Sequence, residues 1–166
     1  MRKALSAAGL NQPLAVACRD GADLDADNSA GFAALISRVV VDVRNDSTAD
    51  DCAAAATFAE KVDVALEWRV CGEVADLSGP IRSAASASRE ARLTRLLFST
   101  NTSRQNHAAR LLTAELAEQG LAQAPIVLRH SIGVEADSER GTIDMAIDLG
   151  APLCEGIGDL VSVSGS

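Results

Sequence analysis

An α/β fold built from parallel β/α repeats is what the sequence predicts, on three observations. Short apolar runs recur near residues 14, 39, 64, 94, 126 and 152, and spacings of about 25 to 32 residues suit βα units, whose right-handed crossovers make successive strands parallel. Each of the first five runs is followed by a helix or a segment with helix signals. The run R-V-V-V-D-V at 38–43 is continuous rather than alternating, as in a strand covered on both faces. Six units fall short of the eight that close a barrel of about 250 residues. The expectation is therefore a partial or incomplete TIM-like barrel, with an open doubly wound sheet as the alternative. At 166 residues, the chain 1–166 fits a single β/α domain with one core.

Taken in order, residues 2–9 have a helical pattern that Gly9 can end before Asn11-Gln12-Pro13. Residues 14–18 form a short β run, 20–29 are acidic and turn-rich, and Phe32, Leu35 and Ile36 share one helical face. After the valine strand, Asn45-Asp46-Ser47-Thr48 reads as a turn and N-cap. Asp50 and Asp51 then complement the positive end of a helix that runs to Lys61.

Residues 62–70 alternate strictly, with Val62, Val64, Leu66, Trp68 and Val70 on one face and Asp63, Glu67 and Arg69 on the other. That strand should have a wetter side, on which Glu67 and Arg69 form a solvated or paired edge. Residues 71–80 read as loop, Pro80 as the first residue of a serine-rich helix to Glu90, and 93–98 as a strand. The next helix has Asn101 or Ser103 as its cap, a stripe of Leu111, Leu112, Leu116 and Leu121, and Gly120 at its C-terminal end. A proline-opened strand at 125–130 follows, then a second helical pattern, a strand near 152, a glycine-rich turn to Asp159 and a new β run at 160–163.

Hydrophobic residues make up 48% of the chain but aromatic ones only 2%. Such a core is aliphatic, suits close helix-on-sheet packing and offers little for stacking bases or flavins. Net charge is −8 and Lys3 and Lys61 are the only lysines, so no basic run is present to neutralise a polyphosphate backbone. No apolar segment approaches the roughly 20 residues of a membrane span, and the first residues lack a signal-peptide core. The expectation is a cytoplasmic chain without nucleic-acid or membrane partners. Cys18, Cys52, Cys71 and Cys154 are far apart and form no C-x-x-C pair. They read as reduced, mostly buried thiols rather than disulfides or a metal site.

Three runs in the last third carry a resemblance: R-x-x-H-A-A-R-L from Arg104 to Leu111, P-I-V-L-R-H from Pro125 to His130, and L-G-A-P-L-C-E-G-I-G-D ending at Asp159. In order and spacing they resemble 4-hydroxy-3-methylbut-2-en-1-yl diphosphate synthase in its long form, which carries an extra barrel-like domain between the catalytic barrel and the iron-sulfur domain. The resemblance implies a fragment of a larger multidomain chain: the inserted domain, scaffolding rather than catalytic, with no cofactor of its own. For the parent enzyme it implies isoprenoid precursor synthesis by the non-mevalonate route, a [4Fe-4S] cluster, and ferredoxin or flavodoxin as electron donor. The other domains of the parent chain are the partners it implies. The motif positions are Arg104, His107, Arg110, His130, Gly156, Gly158 and Asp159.

Read as residues, Gly156 and Gly158 permit positive φ and close backbone approach, which serves a packing turn or an anion-binding turn. With no Lys or Arg in the run and with Glu155 and Asp159 beside it, the packing turn is the first reading, in which Asp159 caps a turn or the next element. His107, mid-helix, suits a surface or domain-contact role. His130, at a strand end beside Arg129, stands where α/β proteins place their sites. Two histidines without a matched carboxylate set define neither a triad nor a metal site. A self-standing pteroate-synthase-like enzyme, with Asp42 and Asn45 holding a pterin, and a noncatalytic interaction module are the alternatives.

Overall fold

The structure, a computed structural model, describes residues 15–18, 37–132 and 138–165. The helices expected over residues 2–9 and around Phe32, Leu35 and Ile36, the loop 20–29, and the side chain of Cys18 lie outside the described residues.

Among the described residues six strands form one sheet: β1 (Ala15–Cys18), β2 (Arg38–Val43), β3 (Ala65–Cys71), β4 (Leu96–Asn101), β5 (Ile126–Ile132) and β6 (Leu160–Gly165). Their order in space is their order in sequence, and every neighbouring pair is parallel. The expected α/β sheet of parallel repeats is present, and it stays open, with β1 and β6 as its edges rather than closing into a barrel.

Between the strands run α1 (Ala49–Lys61), α2 (Ser78–Glu90) and α3 (Gln105–Glu118). α1 packs on β2 and β3, α3 on β4 and β5, and α2 touches both α1 and α3, so the three share one face of the sheet. The residues pointing at that face are Val39, Val41, Val43, Leu66, Trp68, Val70, Phe98 and Leu128, all buried with Ala55, Ala56, Ile81, Ala84, Leu112 and Leu116 from the helices. Alanine at the helix contacts lets the helix backbones lie close to the sheet, which is what an aliphatic composition with few aromatics permits. The one tryptophan still needs a partner for its indole N–H: Trp68 Nε1 donates to Ser88 Oγ at 2.7 Å, and Ser88 Oγ donates to the Ala84 carbonyl at 2.7 Å. A serine in the middle of α2 thereby becomes part of the core.

The expected cap of α1 is realised as a full capping box. Thr48 Oγ1 accepts from Asp51 N, and Asp51 Oδ2 accepts from Thr48 N at 2.9 Å. At α3 the expectation fails at one end and holds at the other. Asn101 is still the last residue of β4, and Arg104 is the N-cap without a side-chain bond. Gly120, at φ +75°, follows the helix, with Leu121 N bonding back to the Leu116 carbonyl at 2.8 Å. The expected loop 71–80 contains a short 3-10 turn (Val74–Asp76), and α2 begins at Ser78, two residues before Pro80.

The largest correction concerns the strand expected near 152. Residues 138–154 are helical throughout: α4 (Ser138–Met145), a π-helical segment (Ala146–Gly150) and α5 (Ala151–Cys154). Leu149 and Pro152 are buried, Met145 is partly buried, and Ile143 and Ile147 are exposed. The inward positions thus follow a helical period that the outward isoleucines mask in the sequence. The glycine-rich turn consequently precedes β6 instead of following a strand, and the β run expected at 160–163 is β6 itself.

Candidate functional site

The sheet's second face is polar. Strand alternation puts Arg38 and Asp42 of β2, Glu67, Arg69 and Cys71 of β3, Ser99 and Asn101 of β4, Arg129 and Ser131 of β5, and Ser162 and Ser164 of β6 on the side away from α1, α2 and α3. Glu67 is the centre of this face and is fully buried; of the solvated or paired edge expected for it and Arg69, the paired form is what the structure has. Arg129 holds Glu67 Oε1 through Nη2 at 2.5 Å and Nε at 2.9 Å, and Ser99 Oγ donates to the same oxygen at 2.6 Å. Arg38 Nη1 stands 3.0 Å from Oε2, close enough for Coulomb attraction but off hydrogen-bond geometry, so among the described residues Oε2 has no hydrogen-bond donor. A carboxylate taken out of water at this cost is retained only because two guanidinium groups compensate it.

One strand along, Asp42 is shared by Arg69, whose Nε lies 2.5 Å from Oδ1, and by Arg44, whose Nη2 lies 3.6 Å from Oδ2. The Asp42 bond pushes Arg69's pKa up, against the opposing effect of burial. Asp42 is therefore committed to two arginines, and the pterin-holding role considered for it would have to break both pairs; Asn45 stands exposed in the turn beyond β2.

At the carboxyl ends of β3 to β6 lies a cleft of about 420 Å³, bordered by Arg69, Asn101, Thr102, Ser103, Gln105, Arg129, His130, Ser131, Asp148, Ser162 and Ser164; strand alternation puts Arg69, Arg129, Ser131, Ser162 and Ser164 on the polar face and His130 on the helix side. Strand carboxyl ends are where open α/β sheets bind their ligands. His130 borders this cleft. Its Nδ1 lies 3.1 Å from Asp148 Oδ2, and its side chain is only 9% exposed. Asp148 comes from the π-helical segment, the stretch expected to be a strand, so the sequence reading had no means of finding this partner. π segments inside helices recur at functional sites because the extra residue redirects a side chain.

The remaining motif positions are elsewhere. Arg104 caps α3 and is exposed, and His107 is exposed one turn on. Arg110 forms a two-pronged pair with Glu155, Nε to Oε2 at 2.7 Å and Nη2 to Oε1 at 2.6 Å, and this pair holds the Glu155 carboxyl below its ordinary range. Gly156 and Gly158 have φ of +77° and +105°, the strained conformations expected of them. Asp159 ties the start of β6 to the start of β5, accepting from Ile126 N at 2.8 Å and donating its own N–H to the Ile126 carbonyl at 2.9 Å. The turn thus lies at the opposite end of the sheet from the cleft.

An iron-sulfur cluster needs converging thiolates. Burial, reinforced by Asp51, pushes the Cys52 thiol up to about 11, burial likewise raises Cys71, and Cys154 is exposed, so that of the three described cysteines two are buried. Among the described residues no three His, Cys, Asp or Glu side chains come together as metal ligands. Among the described residues, too, no helix is long and apolar enough to cross a membrane. Comparison of the chain with protein-family models and with curated proteins finds no match.

Proposed function

We propose that this chain is a noncatalytic β/α domain of a synthase resembling long-form 4-hydroxy-3-methylbut-2-en-1-yl diphosphate synthase, serving to hold that enzyme's iron-sulfur domain in reach of its catalytic barrel. The observation that carries the reading is the uncovered flank at β6. Val161 and Val163 pair in register with Leu128 and His130 and so lie on the helix-covered face, yet they are 51% and 48% exposed. The corresponding side chains of β2, β3 and β4 are buried under α1, α2 and α3. An apolar strand face of this kind at a sheet edge is a surface that asks for a further packed element.

The motif residues support the same reading, because their geometry is occupied by fold-building bonds: Arg110 with Glu155, Asp159 with Ile126, and Gly158 against Leu128. On this view the cluster and its ferredoxin or flavodoxin donor belong to the parent enzyme, and its setting is the cytoplasm. The test is to supply this chain as a separate polypeptide to the catalytic barrel and iron-sulfur domain of such a synthase. Turnover of 2-C-methyl-D-erythritol 2,4-cyclodiphosphate should depend on its presence, while the chain alone stays colourless after iron-sulfur reconstitution. A stoichiometric cluster on the isolated chain requiring three of its cysteines, or turnover by the chain alone, would overturn the proposal.

A further inference from the structure

We infer that the cleft at the carboxyl ends of β3 to β6 is a binding site for a small phosphorylated molecule. This goes beyond scaffolding and does not depend on it. Arg69 uses Nε on Asp42, and among the described residues neither of its terminal nitrogens has a hydrogen-bond partner, although the side chain borders the cleft and is three-quarters buried. A fixed guanidinium whose terminal N–H groups are not taken up by the described residues presents the edge that takes an oxyanion two-pronged. The salt bridge that occupies its inner edge is what fixes it.

The electrostatics favour the same class. The chain carries a net charge of −8, but among the residues bordering the cleft two arginines, Arg69 and Arg129, stand against one carboxylate, Asp148. An anion is thus drawn to one place on an otherwise acidic surface. Hydroxyl groups complete the site: Ser162 Oγ lies 3.3 Å from Arg129 Nη1, and Ser164 Oγ donates to Ser131 Oγ at 3.4 Å, a bond long enough to be exchanged for one to a ligand. Several hydroxyl donors around a guanidinium suit the many acceptor oxygens of a phosphate. The volume, about 420 Å³, is in the range of small-ligand pockets. With no Phe, Trp or Tyr in its lining, the cleft is suited to a polar, polyol-like body rather than a large flat ring.

The test is thermal unfolding and titration calorimetry of the full chain with glycerol 3-phosphate and with inorganic phosphate, against sodium chloride at matched ionic strength. Expected is saturable binding of one glycerol 3-phosphate, weakened at least tenfold in Arg69→Gln and in Ser164→Asp. Ser164 is exposed at the sheet edge, so Ser164→Asp adds a repelling charge without removing a core contact, and its unfolding curve without ligand should match that of the parent chain. Three results would overturn the inference: a stabilisation no larger than that of chloride, binding unchanged in both variants, or inorganic phosphate binding as tightly as glycerol 3-phosphate, which would make the cleft an ion site only.

Discussion

Gly156 and Gly158 look equivalent in the run E-G-I-G-D, and the structure separates them. A β-carbon on Gly156 would meet nothing within 4 Å, whereas one on Gly158 would stand 2.6 Å from Leu128 Cδ1 and 2.7 Å from Cγ. Gly156→Ala should therefore cost only its positive φ, about 1 kcal/mol. Gly158→Ala adds a clash with a buried leucine and should cost about 2 to 4 kcal/mol. Urea unfolding of the two variants decides it, and equal losses would show that Leu128 yields freely. A second single-residue effect sits in the core. Ser88→Ala removes the acceptor of the buried Trp68 indole and should destabilise by about 1 to 3 kcal/mol, because an N–H taken out of water is left unpaired. Ser86→Ala, on the exposed side of the same helix, should stay within about 0.5 kcal/mol. The sequence displayed the serines of α2 but not which of them faced the tryptophan, since that depends on the helix's rotation over the sheet.

At the level of elements, what was legible depended on how much of the decision was local. The cap at Thr48 and the Gly120 terminus rest on bonds between residues within a few positions of one another, and the valine strand on the β propensity of its own residues, and each was readable. The helical stretch 138–154 was not, because its exposed Ile143 and Ile147 fill in the pattern and only tertiary packing separates them from Leu149. With it went half of the candidate site, since Asp148 could not be placed against His130. Ties between helices were equally invisible. Arg82 of α2 grips Glu115 of α3 with Nε to Oε2 at 2.9 Å and Nη2 to Oε1 at 3.1 Å. These bonds, with a smaller contribution from Ser78, hold the Glu115 carboxyl below its ordinary value of 4.5. A carboxyl lowered in the folded state contributes stability that is fully present above the unfolded value and is lost as pH falls through the folded one. Melting temperature should therefore drop below about pH 4.5, and Glu115→Gln should be less stable than the parent at pH 7 but lose less on acidification. A constant difference between the two at pH 7 and pH 3 would show that the pair adds nothing through charge.

On the scale of the whole molecule, the fold has an apolar face buried under helices, a polar face organised by Glu67 and Asp42, and an edge that is neither. The alternation of residues 62–70 announced two unlike faces but left open whether the polar one was solvated or paired, because a strand's pattern cannot say whether its polar side meets solvent or partners from β2, β4 and β5. The edge yields the last prediction. Leu160, Val161 and Val163 of β6 are about half exposed, and a strand presenting both open backbone groups and aliphatic side chains tends to pair with another chain. The isolated chain should consequently self-associate as its concentration rises, measurable by sedimentation velocity. The double variant Val161→Lys, Val163→Lys should remain monomeric. Because those side chains are about half exposed, its unfolding free energy should change by no more than about 0.5 kcal/mol per site, as for other surface substitutions. If this face is where the rest of a larger enzyme packs, the same two lysines must also abolish the chain's ability to support turnover by the separate catalytic and iron-sulfur domains. Retained turnover with a monomeric, stable double variant would move the contact to another face and leave β6 as an ordinary exposed edge.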